Sequence, residues 1–164
     1  FIANLTFKSE PPYQTKQSLI AIGSGKFLGR GYGGSIQKYY FLPEIHTDYI
    51  FSGYSEEMGF IGVLFLIALY LILIVVIIMT ISKARDFFAK YILTGILVMI
   101  STQIIGNIGV VSGLVPSTGI PLPLMSYGGS TTIALMISLG IVYNIIKSIY
   151  EQEEETIEEF EYEM

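Results

Sequence analysis

The segment LPEIHTDYIF, residues 42–51, places four polar or ionisable side chains directly before one of the most apolar stretches of the chain: Glu44, His46, Thr47 and Asp48. An ionisable group this close to a bilayer is costly and needs a reason. Asp48 is either an N-terminal charge stabilised by a helix dipole or a functional carboxylate in a water-filled cleft, and the residues alone leave both open. His46 is the only imidazole, and we expect it to orient a neighbour rather than to bind a metal.

The composition identifies the environment of these side chains. Of the 164 residues, 52% are hydrophobic, and the mean hydropathy of +0.61 is too high for a soluble domain of this size. The chain has no cysteine, which excludes disulfide frameworks, thiolate nucleophiles and cysteine-ligated zinc. It begins at Phe1 with neither an initiator Met nor a signal-peptide pattern, so we expect it to be the C-terminal part of a longer membrane protein.

Three stretches are long and apolar enough to cross a membrane. Residues 60–82 carry no charge over 23 positions, which at about 1.5 Å per residue spans a hydrocarbon core of roughly 30 Å. Residues 91–146 are also uncharged, but glycines and prolines divide them near the middle, so transmembrane helices are predicted at 91–112 and 130–148. The sequence therefore predicts an all-α integral membrane fold.

Basic residues near the ends of the spans predict the orientation. Lys83, Arg85 and Lys90 lie in the short loop 83–90, which we therefore assign to the cytoplasm. Residues 1–59, a large loop with short helices that carries Asp48, and the loop 113–129 are then extracytoplasmic.

The acidic tail, residues 149–164, contains eight glutamates, while the whole chain has a net charge of −5. The topology places this tail in the cytoplasm. We expect a disordered, solubilising end, and a docking segment for a basic partner is the alternative.

The loop 113–129 is apolar enough to stay at membrane depth, yet its three prolines exclude a continuous helix. Irregular backbone at that depth is tolerated only where it is buried in protein or lines a cavity. We expect a re-entrant cavity wall, and a plain extracellular turn is the alternative. The neighbouring polar face at Gln103, Gly106 and Asn107 and the small residues of the third span are expected mainly to pack against other helices.

The glycine-rich segment GSGKFLGRGYGGS, residues 23–35, contains a G-x-G-x-x-G pattern. No alternation of strands and helices surrounds it, so a dinucleotide-binding site is not indicated, and the P-loop spacing fails as well. Lys26, Arg30 and the nearby Lys38 make this segment either an anion-binding external loop or an ordinary basic surface.

Two longer blocks carry a family resemblance. YQTKQSLIAIGSGKFLGRGYGGSIQKYYFLPEIHTDYIFSGYSEEMGFIG, residues 13–62, and NIGVVSGLVPSTGIPLPLMSYGGST, residues 107–131, closely resemble the SEDS (shape, elongation, division and sporulation) family, the FtsW/RodA/SpoVE group. The resemblance covers nearly the whole chain except the acidic tail. It implies the last three spans of a bundle of about ten, in the bacterial inner membrane.

The resemblance also implies an activity, namely polymerisation of the lipid-linked disaccharide precursor lipid II into glycan strands of peptidoglycan. It implies a class B penicillin-binding transpeptidase and other divisome or sporulation membrane proteins as partners, and no nucleic acid. Asp48 corresponds to the family's essential catalytic carboxylate, which lies on the extracytoplasmic side. Gln37-Lys38, followed by Leu42-Pro43-Glu44, favours the division or sporulation branch over the elongation branch.

Chemistry suggests roles for the remaining polar residues. A carboxylate that removes the proton of a sugar hydroxyl acts as a general base, and a pyrophosphate leaving group needs cations rather than a second acid. Lys26, Arg30 and Lys38 are the expected cations, with a divalent metal as a possible addition and no other cofactor. His46, Glu57 and Ser126 complete the expected substrate-binding residues: Glu57 to orient the loop or support Asp48, and Ser126 in the wall beside the polyprenyl tail.

Two other classes of function stay open at this stage. A transporter would use the same cavity to move the lipid-linked precursor across the membrane. A scaffold would only position the transpeptidase. Loss of polymerisation on replacing Asp48 separates the enzyme from both.

Overall fold

The computed structural model describes residues 12–37 and 47–163, and beyond Gln152 it describes only the side chain of Glu155. The regular structure in these ranges consists of four helices. They are α1 (Tyr13–Ser24), α2 (Ile50–Lys83), α3 (Phe87–Val111) and α4 (Gly129–Glu163).

Three of the helices in the described residues are long and apolar enough to cross a membrane: α2, α3 and the Gly129–Gln152 part of α4. This confirms the prediction of an all-α fold with three candidate spans. Many large hydrophobic side chains on these helices are exposed, among them Leu64, Phe65 and Ile72 of α2. An apolar surface of this kind suits contact with lipid or with further helices.

The second span begins four residues earlier than its uncharged stretch suggests. Asp86 caps α3, because its carboxylate accepts a hydrogen bond from the backbone N–H of Ala89 at 3.3 Å. Lys90 therefore lies in the first turn of the helix, with its Nζ 5.7 Å from the centre of the Phe87 ring. A lysine near a helix end can extend its charged group to the membrane surface. A helix predicted only from its uncharged residues is therefore too short at this end.

The acidic tail continues the third span. α4 runs without interruption to Glu163, so the expectation of a disordered tail is wrong for residues 149–163. The exposed pair Lys147 and Glu151, with 3.4 Å between Nζ and Oε1, has the i, i+4 spacing that supports a helix at this junction.

The core lies between α2 and α3. Ile77 of α2 and Leu93 and Ile100 of α3 are completely buried there. α1 packs against the end of the same pair that includes the first residues of α2, with its Ala21 completely buried. Of the two longest described loops, 25–37 contacts α2 at residues 56–61, and 112–128 contacts the turn 47–49 and Tyr70.

The helix α2 is broken at Gly59, whose φ of 66° and ψ of −166° are not helical. The glycine-rich segment supplies the missing hydrogen bonds: the N–H groups of Phe60 and Ile61 donate to the carbonyls of Lys26 and Phe27 at 2.9 and 3.2 Å. The break separates a short helix after Asp48 from the apolar span that follows.

Glycine is required on both sides of this contact. A Cβ added to Gly59 would lie 2.2 Å from the backbone nitrogen of Gly29, and one added to Gly29 would lie 2.0 Å from the carbonyl oxygen of Glu57. Both residues also have positive φ angles, which L-residues adopt only at a cost. The glycine-rich pattern therefore serves close backbone packing.

We expect Gly59→Ala to lower the free energy of unfolding by about 2 kcal/mol or more, because it combines a steric clash with an unfavourable φ. The measurement is denaturant unfolding of the full-length protein in detergent. Gly95→Ala in α3 is the matched control: a Cβ there meets nothing within 4 Å, so the change should stay below about 1 kcal/mol. Equal stability of the two variants would contradict this account of the break.

Candidate active site

The turn that carries Asp48 is fixed through its backbone. Residues 47–49 form a turn that leads into α2. Asn107 of α3 donates through Nδ2 to the carbonyl oxygen of Asp48 at 2.8 Å and to that of Ile120 at 2.7 Å. Asn107 is completely buried, so these bonds are shielded from water. One amide thereby joins the turn, α3 and the loop 112–128.

Ser126 joins the same loop to the turn at a second point. Its hydroxyl donates to the carbonyl oxygen of Thr47 at 2.6 Å and accepts from the backbone N–H of Leu122 at 2.7 Å. Ser126 was expected to contact substrate. In the structure its hydroxyl is bonded to the backbone of Thr47, the residue before Asp48, and to the backbone of Leu122. Ser126 therefore fixes the position of the turn.

The Asp48 carboxylate lies against the backbone of Gly119. A Cβ at position 119 would be 3.4 Å from Oδ2, and Gly119 has a φ of 66°. A residue without a side chain is therefore favoured where the loop passes over the acid. Asp48 is half-buried, while residues 114–119 of the loop are exposed. The carboxylate thus occupies the boundary between protein and solvent.

The loop 112–128 returns beside the membrane span. Tyr70 of α2 donates through its hydroxyl to the carbonyl oxygen of Pro123 at 2.6 Å. Phe60 is the first residue after the break in α2, and Tyr70 follows it by ten residues, so this contact lies about 15 Å along the apolar part of the helix. Leu122 and Pro123 are buried at this contact. The irregular backbone is therefore covered by protein where it lies beside the span, as burial at membrane depth requires.

Buried hydroxyl groups attach α1 to this assembly. Ser18 donates to the carbonyl oxygen of Val111 at 2.7 Å, and the oxygens of Ser18 and Ser52 are 2.6 Å apart. Because the single hydroxyl hydrogen of Ser18 is used by Val111, Ser52 is the donor in the second bond. All three residues are completely buried. The first turn of α2 after Asp48 is thus held by both α1 and α3.

Tyr49 is a buried side chain directly after the acid. Burial raises the pKa of its phenol above 10.0, Thr15 lowers it through a side-chain interaction, and the adjacent Asp48 charge raises it further. The net effect is an increase, so the Tyr49 phenol stays protonated at neutral pH. Asp48 is therefore followed by a neutral, buried side chain rather than by a second charge.

The predicted cations lie at the other end of the short helix. Arg30 Nε is 3.5 Å from Oε1 of Glu56, and Lys26 is exposed in the same segment. Glu56 follows Ile50, the first residue of α2, by six residues, which corresponds to about 9 Å along the helix, and Asp48 lies in the turn before Ile50. Glu57 contacts the same segment, because its carbonyl oxygen accepts from the N–H of Gly31 at 3.0 Å. The structure therefore groups Ser126 with Asp48, and Lys26, Arg30 and Glu57 with each other.

Two expected site residues, Lys38 and His46, lie outside the described residues. In the part of the chain that the structure describes, no group of three or more His, Cys, Asp or Glu side chains is arranged to hold a metal ion. A divalent metal at the site stays a prediction from the chemistry of pyrophosphate.

Sequence reasoning missed two organising residues. Asn107 was recognised as part of a polar face, but its partner Asp48 is 59 residues away, so the contact had no local signal. Glu56 is 1% exposed and binds a segment that begins more than 20 residues earlier. The sequence offered only two local signals for them: Asn107 is a polar residue inside a predicted span, and Glu56 is an acidic residue close to Gly59.

Comparison with known families gives a match over residues 4–151 to the family described as "Cell cycle protein", which comprises FtsW, RodA and SpoVE. Stage V sporulation protein E of Bacillus subtilis is 43% identical over 133 residues, which cover 81% of this chain and 36% of that protein. Peptidoglycan glycosyltransferase MrdB of Escherichia coli is 44% identical over 134 residues, with the same coverage of 81% and 36%. The probable peptidoglycan glycosyltransferase FtsW of Saccharophagus degradans is 45% identical over 133 residues, covering 79% and 34%.

Two solved structures share the fold. One is a peptidoglycan synthase complex that coordinates polymerization and crosslinking, with a TM-score of 0.67 and 30% identity over 82% of this chain and 37% of that one. The other is a mutant of the rod shape determining protein RodA of Thermus thermophilus, with a TM-score of 0.59 and 36% identity over 76% and 37%. This chain spans about a third of the length of the curated relatives it matches.

We expect Asn107→Leu, which keeps the approximate volume but removes the amide donor, to release the turn. Amide hydrogen exchange at residues 47–49 and at Ile120 and Leu122 should become about tenfold faster, as expected for the loss of a buried hydrogen bond. The check is exchange measured by mass spectrometry on the full-length protein. Thr102→Val, at an exposed position of the same helix, is the control. Unchanged exchange in Asn107→Leu would show that the turn is held by other contacts.

Proposed function

Because the chain belongs to the FtsW/RodA/SpoVE family of cell-cycle proteins, we propose that it is the catalytic part of a peptidoglycan glycosyltransferase that polymerises lipid II. The observation that carries this proposal is the half-buried Asp48 carboxylate on a turn fixed by Asn107 and Ser126. Relatives named as peptidoglycan glycosyltransferases support the reaction class.

Asp48 acts as the general base in this reaction. A sugar hydroxyl of the acceptor forms a new C–O bond to the anomeric carbon of the donor glycan, and the bond from that carbon to the pyrophosphate oxygen breaks. The hydroxyl proton passes to the Asp48 carboxylate, and the electron pair of the broken bond leaves with the polyprenyl pyrophosphate. A fixed base of this kind contributes about 10²–10⁴-fold in rate.

The position of Asp48 suits a substrate with a polar head and a lipid tail. The carboxylate precedes the apolar span by a short helix, and the irregular loop 112–128 covers it from the side. We assign this end of the bundle to the extracytoplasmic side, because Lys83, Arg85 and Lys90 lie at the opposite end of α2 and α3. The sugar hydroxyl then meets the base outside the membrane while the tail stays in the lipid.

The leaving pyrophosphate needs a cation close to the reacting carbon. Arg30 is attached to Glu56, which lies about 9 Å along α2 from Ile50, while Asp48 lies in the turn before Ile50, so Arg30 is too far to contact a group displaced beside Asp48. Lys38 lies outside the described residues and stays a predicted cation for this role. A divalent ion is the alternative source of positive charge.

The partner is a class B penicillin-binding protein. A structural relative is a complex in which polymerization is coordinated with crosslinking, which is the reaction a transpeptidase performs. The segment at 37–44 favours a division or sporulation role. Identities of 43%, 45% and 44% to relatives named for sporulation, FtsW and MrdB do not separate the branches.

The transporter alternative is compatible with the polar face at residues 103–110. Asn107 of that face is completely buried, and its Nδ2 donates to the carbonyl oxygens of Asp48 and Ile120. Because this residue is used to fix the turn, its position supports polymerisation over transport.

We expect Asp48→Asn to reduce glycan polymerisation by about 10²–10⁴-fold, because an amide cannot accept the hydroxyl proton at neutral pH. The measurement is formation of glycan ladders from fluorescent lipid II by the full-length protein with its transpeptidase partner. Asp86→Asn is the matched control, since asparagine caps α3 as well as aspartate does. Equal ladders from wild type and Asp48→Asn would overturn the assignment. If neither wild type nor Asp48→Asn forms glycan ladders, the result favours the transporter or the scaffold.

A further inference from the structure

Glu56 organises the glycine-rich segment from a buried position. Only 1% of the surface of Glu56 is exposed. Oε1 accepts from the hydroxyl of Ser24 at 3.1 Å and from the N–H of Ile36 at 3.3 Å, while Oε2 accepts from the hydroxyl of Ser35 at 2.6 Å and from the N–H of Gln37 at 3.2 Å. Four donors from the two ends of one loop thus converge on a single carboxylate.

Arg30 supplies the positive charge that this buried carboxylate requires. Its Nε lies 3.5 Å from Oε1 of Glu56, and its side chain is 39% exposed. A guanidinium has five N–H donors on a planar fork. The side chain therefore extends from the buried acid to the surface, where part of the fork faces solvent.

The backbone of Arg30 is held by the same residue. The N–H of Arg30 donates to the carbonyl oxygen of Glu56 at 3.0 Å, and the N–H of Gly31 donates to that of Glu57 at 3.0 Å. Both the backbone and the side chain of Arg30 are consequently fixed relative to α2. A cation held in this way binds an anion without losing much conformational freedom.

The separation between this cation and Asp48 indicates which anion it meets. Glu56, which holds this cation, lies about 9 Å along α2 from Ile50, and Asp48 lies in the turn just before Ile50, so the two groups are separated by roughly the length of a disaccharide. In a lipid-linked disaccharide the attacking hydroxyl lies at one end and the pyrophosphate lies at the other. An acceptor with its hydroxyl at Asp48 therefore brings its own pyrophosphate to the level of Arg30.

We propose that Glu56 is a positioning residue that holds Arg30 for the pyrophosphate of the acceptor substrate. This inference rests on the proposed glycosyl transfer and adds to it a binding site distinct from that of the leaving group. Exposed Lys26 lies four residues before Arg30 and adds positive charge to the same surface. The interaction anchors the acceptor while its hydroxyl is deprotonated at the other end.

The test uses the full-length protein with its transpeptidase partner, a saturating preformed lipid-linked glycan as donor, and labelled lipid II as acceptor. Arg30→Ala and Glu56→Gln should each raise KM for the acceptor about tenfold, with kcat and KM for the donor changed by no more than about twofold. Glutamine keeps the shape of Glu56 but turns an amide NH₂ toward backbone N–H groups, so it releases the loop and Arg30. Inorganic pyrophosphate should inhibit both variants less than wild type.

Coupling between the two residues separates positioning from a general structural role. If Glu56 acts through Arg30, the double variant should show no larger KM than Arg30→Ala alone. Glu151→Gln, which removes the charge of an exposed glutamate paired with Lys147, is the control for the substitution and should behave as wild type. A loss of kcat with unchanged acceptor KM, additive effects, or a rise in donor KM would overturn the inference.

A second variant covers the case in which Glu56→Gln does not fold. Ser35→Ala removes the 2.6 Å bond to Oε2 and should raise acceptor KM about threefold. An unchanged KM in a folded Ser35→Ala protein, together with an unchanged KM in Arg30→Ala, would overturn the proposal.

Failure of this inference can be distinguished from failure of the proposed function. If Asp48→Asn is inactive while the acceptor KM does not change on replacing Arg30 or Glu56, the inference fails and the glycosyltransferase assignment stands. If Asp48→Asn is active, the glycosyltransferase assignment itself fails.

Discussion

Two hydrogen bonds from one buried amide determine where Asp48 lies. The Asn107 side chain is enclosed between α2, α3 and the loop 112–128, and its donors go to carbonyl groups of the turn and the loop. A buried amide that loses its partners is costly, so the turn and the loop hold each other in place. Ser126 repeats the arrangement on the other side of the turn. The acid is thus placed by contacts of the turn's backbone.

Glycine makes the rest of the geometry possible. At Gly119 the loop backbone comes close to the acid, and at Gly29 and Gly59 two backbones meet where α2 enters the apolar span. The break at Gly59 separates the short helix after Asp48 from the apolar span. Glu56 at the end of that helix then fixes the basic loop. Asp48 accordingly lies just before the short helix that begins at Ile50, and Arg30 is bound at the far end of that helix through Glu56, at a separation close to the length of the proposed acceptor disaccharide.

The sequence predicts the three candidate spans well, because long uncharged stretches reflect a strong physical requirement of the bilayer. It fails at the start of α3, where Lys90 lies inside the helix, and in the tail, where local i, i+4 pairing extends the helix into acidic sequence. Asp48 itself was found through family resemblance rather than from composition. Asn107, Ser126 and Glu56 act on residues that are distant in sequence, and no local periodicity or motif records such contacts.

The most direct test of the central claim is a structure of full-length Asp48→Asn protein in nanodiscs with lipid II bound. The account expects a sugar hydroxyl within hydrogen-bonding distance of the side chain at position 48, below the loop at Gly119. It also expects the pyrophosphate of the same molecule beside Arg30. Lipid II bound with its sugars away from position 48, in a protein whose turn at 47–49 is intact, would contradict the claim that this turn places a catalytic base.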